Sequence, residues 1–153
     1  YMVKRRYVVS SCLLGHNCKY SGGNNRNEKL INFLKDQEVL CVCPEVLGGL
    51  PIPRASSEIR GDKVINTNGE DVSKQFYAGA LKALQKTLEF QPDLAILQPR
   101  SPSCGKGFVY DGTFTKRLIP GNGVFVKMLL EAGIEVKTCE EFSKELDMQE
   151  QNA

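Results

Sequence analysis

The sequence predicts a single α/β domain over residues 1–153, a three-layer sandwich on a mostly parallel, Rossmann-like sheet. Three observations lead there. Apolar runs of strand length in YVVSSCLLG, EVLCVCPEV and DLAILQPRSPSCG each give way to a loop carrying cysteine. Segments of helical period separate those runs, and strands alternating with helices build a parallel sheet covered on both faces. A chain of 153 residues, 41% hydrophobic and 25% charged, suits one domain with a workable core.

The elements follow in order. Lys4, Arg5 and Arg6 form a solvated start to the first strand, which becomes a loop near Ser10–Cys12. GHNCKYSGGNNRN is rich in Gly and Asn, the residues that supply turn conformations, and predicts a loop. Glu28–Lys35 sets Leu30, Ile31, Phe33 and Leu34 on a short helix. EVLCVCPEVLGGLPIPR repeats the strand-to-cysteine change, and EIRGDKVINTNGED reads as a small hairpin or irregular excursion. A helix over Asp71–Glu89, begun by Asn68 or Asp71, carries Val72, Phe76, Ala80, Leu81, Leu84 and Leu88 as its core-packing stripe. After the third strand-then-cysteine event, FVYDGTFTKRL predicts a hairpin turning at Asp111–Gly112. PGNG leads into a helix over Gly123–Ala132, IEVKT is the last strand, and Glu140–Ala153 starts helical and frays.

Charge and hydropathy narrow the function classes. A formal net charge of +2 is too small to imply nucleic-acid binding. No apolar run approaches the roughly 20 residues of a membrane helix, and no signal-type apolar stretch follows the basic residues. The expectation is a cytoplasmic enzyme or binding domain. Six cysteines without a compact disulfide array then point to metal binding or reactive thiols.

In parallel sheets ligands bind beyond the carboxyl ends of the strands. Cys12, Cys43 and Cys104 each sit at such an end, so three thiols far apart in sequence can converge. The turn PRSPSCGKG presents Cys104 rigidly: Pro99 and Pro102 restrict the backbone, while Gly105 and Gly107 permit close approach. Cys41 lies deeper in its apolar run and reads as core, since a free cysteine is often a small buried hydrophobe. Cys18 is the chief rival ligand and Cys139 a weaker one. Cys41-x-Cys43 has no matching second pair and His16 is the single histidine, which argues against a zinc site. Three cysteines without an evident fourth suggest an iron–sulfur cluster with one open iron, where four would suit electron transfer. Such an iron is a Lewis acid with an affinity for sulfur.

The blocks SSCLLGHNCKYSGG (10–23), VCPEVLGGLPIPR (42–54), RSPSCGKGFVYDG (100–112) and GNGV (121–124) carry a family resemblance. Over roughly residues 7–138 the chain resembles the small bacterial family of iron–sulfur-dependent thiouracil desulfurases. The resemblance implies a 4Fe–4S cluster held by Cys12, Cys43 and Cys104, with one iron open. It also implies non-redox hydrolysis of thiouracil-type bases to uracil and sulfide, with Glu45 as acid–base group and Ser101 as polar partner. Ser103, Arg54 and Asn24 are the expected substrate-binding residues, with Asn25 and the amides of Gly121–Gly123 as further pocket lining. Ser21 stands where the family pattern leads one to expect aspartate, and QPRS departs from it before the cysteine loop; both bear on substrate choice. The implied partners are a small thiolated pyrimidine and iron–sulfur assembly machinery. Two rivals stay open at this point. One is a sulfur transferase acting on a thiolated nucleoside or RNA, although the chain lacks the G-x-x-x-x-G-K-[ST] loop of an ATP-dependent version. The other is a non-catalytic iron–sulfur or zinc sensing module.

Overall fold

The computed structural model describes residues 4–152. In chain order the elements are β1 (Arg6–Ser10), a 3₁₀ turn (Ser11–Leu14), α1 (Glu28–Leu34), β2 (Glu38–Val42), α2 (Pro44–Leu47), β3 (Ser57–Arg60) and β4 (Lys63–Asn66). They continue with α3 (Ser73–Phe90), β5 (Leu94–Leu97), β6 (Phe108–Tyr110), β7 (Leu118–Pro120), α4 (Val124–Glu131), β8 (Val136–Thr138) and α5 (Cys139–Gln151). Strands β2-β1-β5-β8 form one sheet in that order, every pair parallel. The α/β class and parallel sheet expected from the sequence are what the chain forms.

Alternation along the strands divides the interior into two cores. Val8, Ala95 and Leu97 face one side and pack with Phe76 and Ala80 of α3 and Phe125 and Leu129 of α4. Tyr7, Val9 and Ile96 face the other, against Leu30 and Leu34 of α1 and Phe142 of α5. On that side Tyr7, Phe33 and Phe142 meet edge to face, with centroids 5.6 Å apart for Tyr7–Phe33 and 5.1 Å for Phe33–Phe142. Strand β5 is buried along its whole length, as a central parallel strand covered on both faces should be.

Four local expectations need correcting. Helix α3 begins at Ser73, because Asp71 accepts the Ser73 N–H from outside the helix at 2.9 Å. Its buried stripe is Phe76, Gly79, Ala80, Ala83 and Thr87, while Leu81 and Leu88 are each 49% exposed. The reason is close packing of α2 on α3: a Cβ on Gly79 would fall 1.8 Å from the Pro44 carbonyl oxygen. Small residues therefore make the contact, and the large apolar ones lie outside it. The hairpin β6–β7 exists, but its connection spans Asp111–Arg117 in place of a two-residue turn at Asp111–Gly112. Finally, Cys41 is exposed and not core. It lies on an edge strand, where Val42 and the half-buried Leu40 take the core face. At the sheet's start Lys4 and Arg5 are exposed, and the Arg6 side chain, still 40% exposed, pairs with Glu38 at 2.8 Å and stacks 4.3 Å from the Phe90 ring. No helix among the described residues is long and apolar enough to cross a membrane.

Candidate active site

Three chain reversals meet at the carboxyl edge of the sheet. After β1 comes the turn with Cys12, after β2 comes Cys43 as the residue capping α2, and after β5 comes the loop with Cys104. Between them lies a cavity of about 500 Å³ lined by Cys12, Cys18, Cys43, Cys104, Glu45, Ser101 and Ser103. The topology thus gathers the three strand-end cysteines, and Cys18 joins them. Cys139 does not: it packs in the second core at the start of α5.

The four thiols differ in their readiness to ionise. The Cys18 carbonyl accepts the Cys43 thiol at 3.8 Å, and the buried Cys18 side chain neighbours the Cys12 and Cys43 sulfurs. That contact holds the Cys12 thiol below the ordinary range, with the Asn25 amide helping at 3.4 Å from the sulfur. Cys43 is lowered to about 7 by the Cys18 hydrogen bond first, then by the Val46 N–H and the Arg54 charge. Cys18 itself is raised, first by its interaction with the Cys12 and Cys43 sulfurs and then by burial. Cys104 backs onto the α3/α4 core and burial pushes it up to about 12, against the hydroxyls of Ser10 and Ser103. Burial likewise raises Cys139, to about 11.

Opposite the thiols stands a held carboxylate. Glu45, in the first turn of α2, receives Arg54 Nε and Nη2 on Oε1, both at 3.2 Å, and Ser103 Oγ on Oε2 at 3.0 Å. The Arg54 side chain is 6% exposed and also donates to the carbonyls of Cys18 at 2.9 Å and Pro51 at 3.1 Å. Arg54 therefore lines the cavity beside Glu45, with its guanidinium bonded to that carboxylate and to two backbone carbonyls. Ser101 Oγ accepts the Ser103 and Cys104 amides at 3.1 and 2.9 Å and lies 3.0 Å from Ser103 Oγ. Since a carboxylate is the stronger acceptor, the Ser103 proton goes to Glu45 and the Ser101 hydroxyl donates to Ser103. The result is a chain from Ser101 through Ser103 to Glu45.

Other expected lining residues are elsewhere. Asn24 is exposed, bonded to Asn17 and to the Arg26 amide, outside the cavity that its neighbour Asn25 lines. The Gly121 and Gly123 amides donate to the carbonyls of Gly107 and Gly105 at 3.0 and 2.7 Å. They brace the cysteine loop from behind, and a Cβ on Gly123 would fall 2.5 Å from the Ser103 carbonyl. Cavity residues without a signal in their own sequence neighbourhood are Tyr20, Glu58, Phe114 and Lys116. Glu58 of β3 and Phe114 and Lys116 of the β6–β7 connection come from distant parts of the chain, whereas Tyr20 stands two residues after Cys18.

Among the described residues no three of His, Cys, Asp and Glu converge on a single-ion site. The thiols instead surround a space, all soft sulfur donors, which fits a polynuclear iron–sulfur group. Fold and site together define an α/β protein with a thiol-lined pocket facing a held carboxylate. Residues 7–141 match the 2-thiouracil desulfurase family, and the chain belongs to that family. A Bacillus subtilis (strain 168) protein bearing the name "Uncharacterized protein YbbK" is 38% identical over 139 residues, 84% of this chain and 92% of its own. Among solved structures, the [4Fe-4S]-dependent thiouracil desulfidase TudS is 34% identical with a TM-score of 0.85, covering 98% of this chain and 100% of that one.

Proposed function

We propose that this chain is a [4Fe–4S]-dependent thiouracil desulfurase whose cluster is held by Cys12, Cys43 and Cys104 and keeps one iron free of protein. The carrying observation is the cavity itself, where thiols from three strand ends face a carboxylate fixed at both oxygens. Family membership and the likeness to a [4Fe-4S]-dependent desulfidase support the same reading. A cluster bound there supplies a soft Lewis acid for the thiocarbonyl sulfur.

The chain's own groups do the rest. Arg54, fixed to Oε1, holds Glu45 in place, which leaves Oε2 to take a proton from water. Glu45 then returns that proton to the ring or the departing sulfur. Ser103 holds Oε2, and Ser101 orients Ser103 while shaping the turn that presents Cys104. Thiouracil and water give uracil and hydrogen sulfide, so no electrons are gained or lost. Asn25 and Cys18 steady the Cys12 and Cys43 sulfurs from the side. Delivery of the cluster implies iron–sulfur assembly machinery as a partner, and the free thiols suit the cytoplasm.

Anaerobic reconstitution followed by iron and sulfide analysis and assay on thiouracil tests the reading. Alanine at Cys12, Cys43 or Cys104 should sharply reduce bound iron and abolish turnover, whereas alanine at Cys41 or Cys139 should not. Glu45→Gln should keep its iron and lose turnover by about 100-fold or more. Full iron in a ligand variant removes that cysteine, and unchanged turnover in Glu45→Gln removes the general base.

A further inference from the structure

Glu58 is a carboxylate 8% exposed on β3, and no cation among the described residues forms an ion pair with it. Burying a charge is unfavourable unless it is well hydrogen-bonded. Its Oε1 accepts the backbone N–H of Gly112 at 3.0 Å and of Phe114 at 3.1 Å. Two residues along the same strand, Arg60 donates to the Gly112 carbonyl through Nη2 at 2.6 Å and Nε at 3.2 Å. One short strand therefore grips the Gly112 backbone at both its N–H and its C=O. Gly112 comes close enough that a Cβ there would lie 2.9 Å from both Arg60 Cβ and the Ile59 carbonyl oxygen. Beyond the grip, Phe114 and Lys116 line the cavity with φ of 59° and 64°, a left-handed backbone that non-glycine residues avoid unless held.

This geometry matters because the polar groups of the opposite wall are already engaged. Arg54 and Ser103 are bonded to Glu45, and Ser101 is bonded to the turn. None of them presents a flat apolar surface to an aromatic ring. Of the aromatic residues that line the cavity, Tyr20, Tyr110 and Phe114, only Phe114 is wholly apolar, and it is the residue whose amide Glu58 holds.

We propose that the Glu58 clamp makes Asp111–Arg117 the specificity loop of the enzyme, with Phe114 as the surface on which the thiopyrimidine ring lies. Phe114 is then a substrate-binding residue and Glu58 a positioning residue acting through it. This rests on the desulfurase reading above.

The test uses the anaerobically cluster-loaded enzyme, with steady-state kinetics on thiouracil beside direct binding titration of thiouracil. Phe114→Ala should raise KM and weaken binding by about tenfold, in line with base–aromatic stacking, while kcat and bound iron stay within about twofold of wild type. Phe114→Tyr should restore the wild-type KM. Glu58→Gln should shift KM in the same direction, and the double variant should be no worse than the poorer single one, since both changes act on one contact. Wild-type KM and binding in Phe114→Ala overturn the proposal, as does a fall in kcat with KM unchanged. If Glu58→Gln fails to fold, Phe114→Ala and Phe114→Tyr still decide it. A cluster-loaded wild type inactive on thiouracil overturns the desulfurase reading, an outcome distinct from an active wild type whose Phe114 is indifferent.

Discussion

At the scale of single residues, the cysteines are set apart by what surrounds each sulfur. The Cys18 thiol, the Val46 N–H and the Arg54 charge lower Cys43 to about 7, while burial pushes Cys104 up to about 12. The sign follows directly: in the cluster-free fold Cys43 becomes a thiolate as pH rises through about 7, and Cys104 stays a thiol across the neutral range. Only the thiolate is nucleophilic and only the thiolate ligates metal. Cys43 should therefore alkylate with a half-maximal rate near pH 7, and Cys104 should stay unlabelled until the protein unfolds, as read by mass spectrometry of each cysteine peptide. Cys18→Ala removes the hydrogen bond that lowers Cys43 most and should move its midpoint upward. Equal labelling of Cys43 and Cys104 at neutral pH would contradict this account. If Cys104 ligates the cluster as proposed, uptake should displace its proton, which would couple cluster binding to pH.

At the scale of elements, the crossing of α2 and α3 sets where Glu45 stands. Gly48 and Gly79 let the two backbones touch: a Cβ on Gly48 would fall 2.0 Å from the Gln75 carbonyl oxygen, and one on Gly79 1.8 Å from that of Pro44. In an open helix Gly→Ala is worth up to about 1 kcal/mol of added stability. Here overpacking opposes and outweighs that gain, typically by about 1–3 kcal/mol. Gly79→Ala should lower the denaturant midpoint and slow turnover, because α2 carries Glu45 and follows Cys43 directly. Ala78→Ser, on the exposed side of the same helix, should do neither. A Gly79→Ala protein more stable than wild type would show that the crossing tolerates a methyl group.

At the scale of the whole molecule, a group bound by Cys12, Cys43 and Cys104 ties three distant segments of chain together at one sheet edge. Whatever binds only the folded state stabilises it, by about 2.7 kcal/mol when the free ligand is at 100 times its Kd. The cluster-loaded protein should accordingly melt roughly 5–10 °C above the cluster-free one, and oxidative loss of the cluster should reverse the shift. Identical melting curves would count against ligation from three strand ends. Those strand ends were legible in sequence, because a short apolar run followed by Cys, Pro or Gly reports local burial and chain reversal, both encoded within a few residues. Glu45 was singled out through the family resemblance, and its position two residues after Cys43 at a strand end is consistent with a place in the cavity. The pairings were not legible. Ser103 bonds Glu45 from 58 residues away and Glu58 bonds Gly112 from 54, so no local pattern could join them. Asn24 was expected in the pocket and lies outside it, because residue type indicates capacity to hydrogen-bond and not the partner. Cys41 is exposed because β2 ends the sheet, and Leu81 and Leu88 are exposed because two glycines bring α2 onto a neighbouring face of α3. Periodicity and turn chemistry are local, and the sequence by itself determined the parallel α/β class and the three converging thiols through them. Partner choice depends on which distant surfaces meet, and that was decided only when the sheet order and helix crossings brought them together.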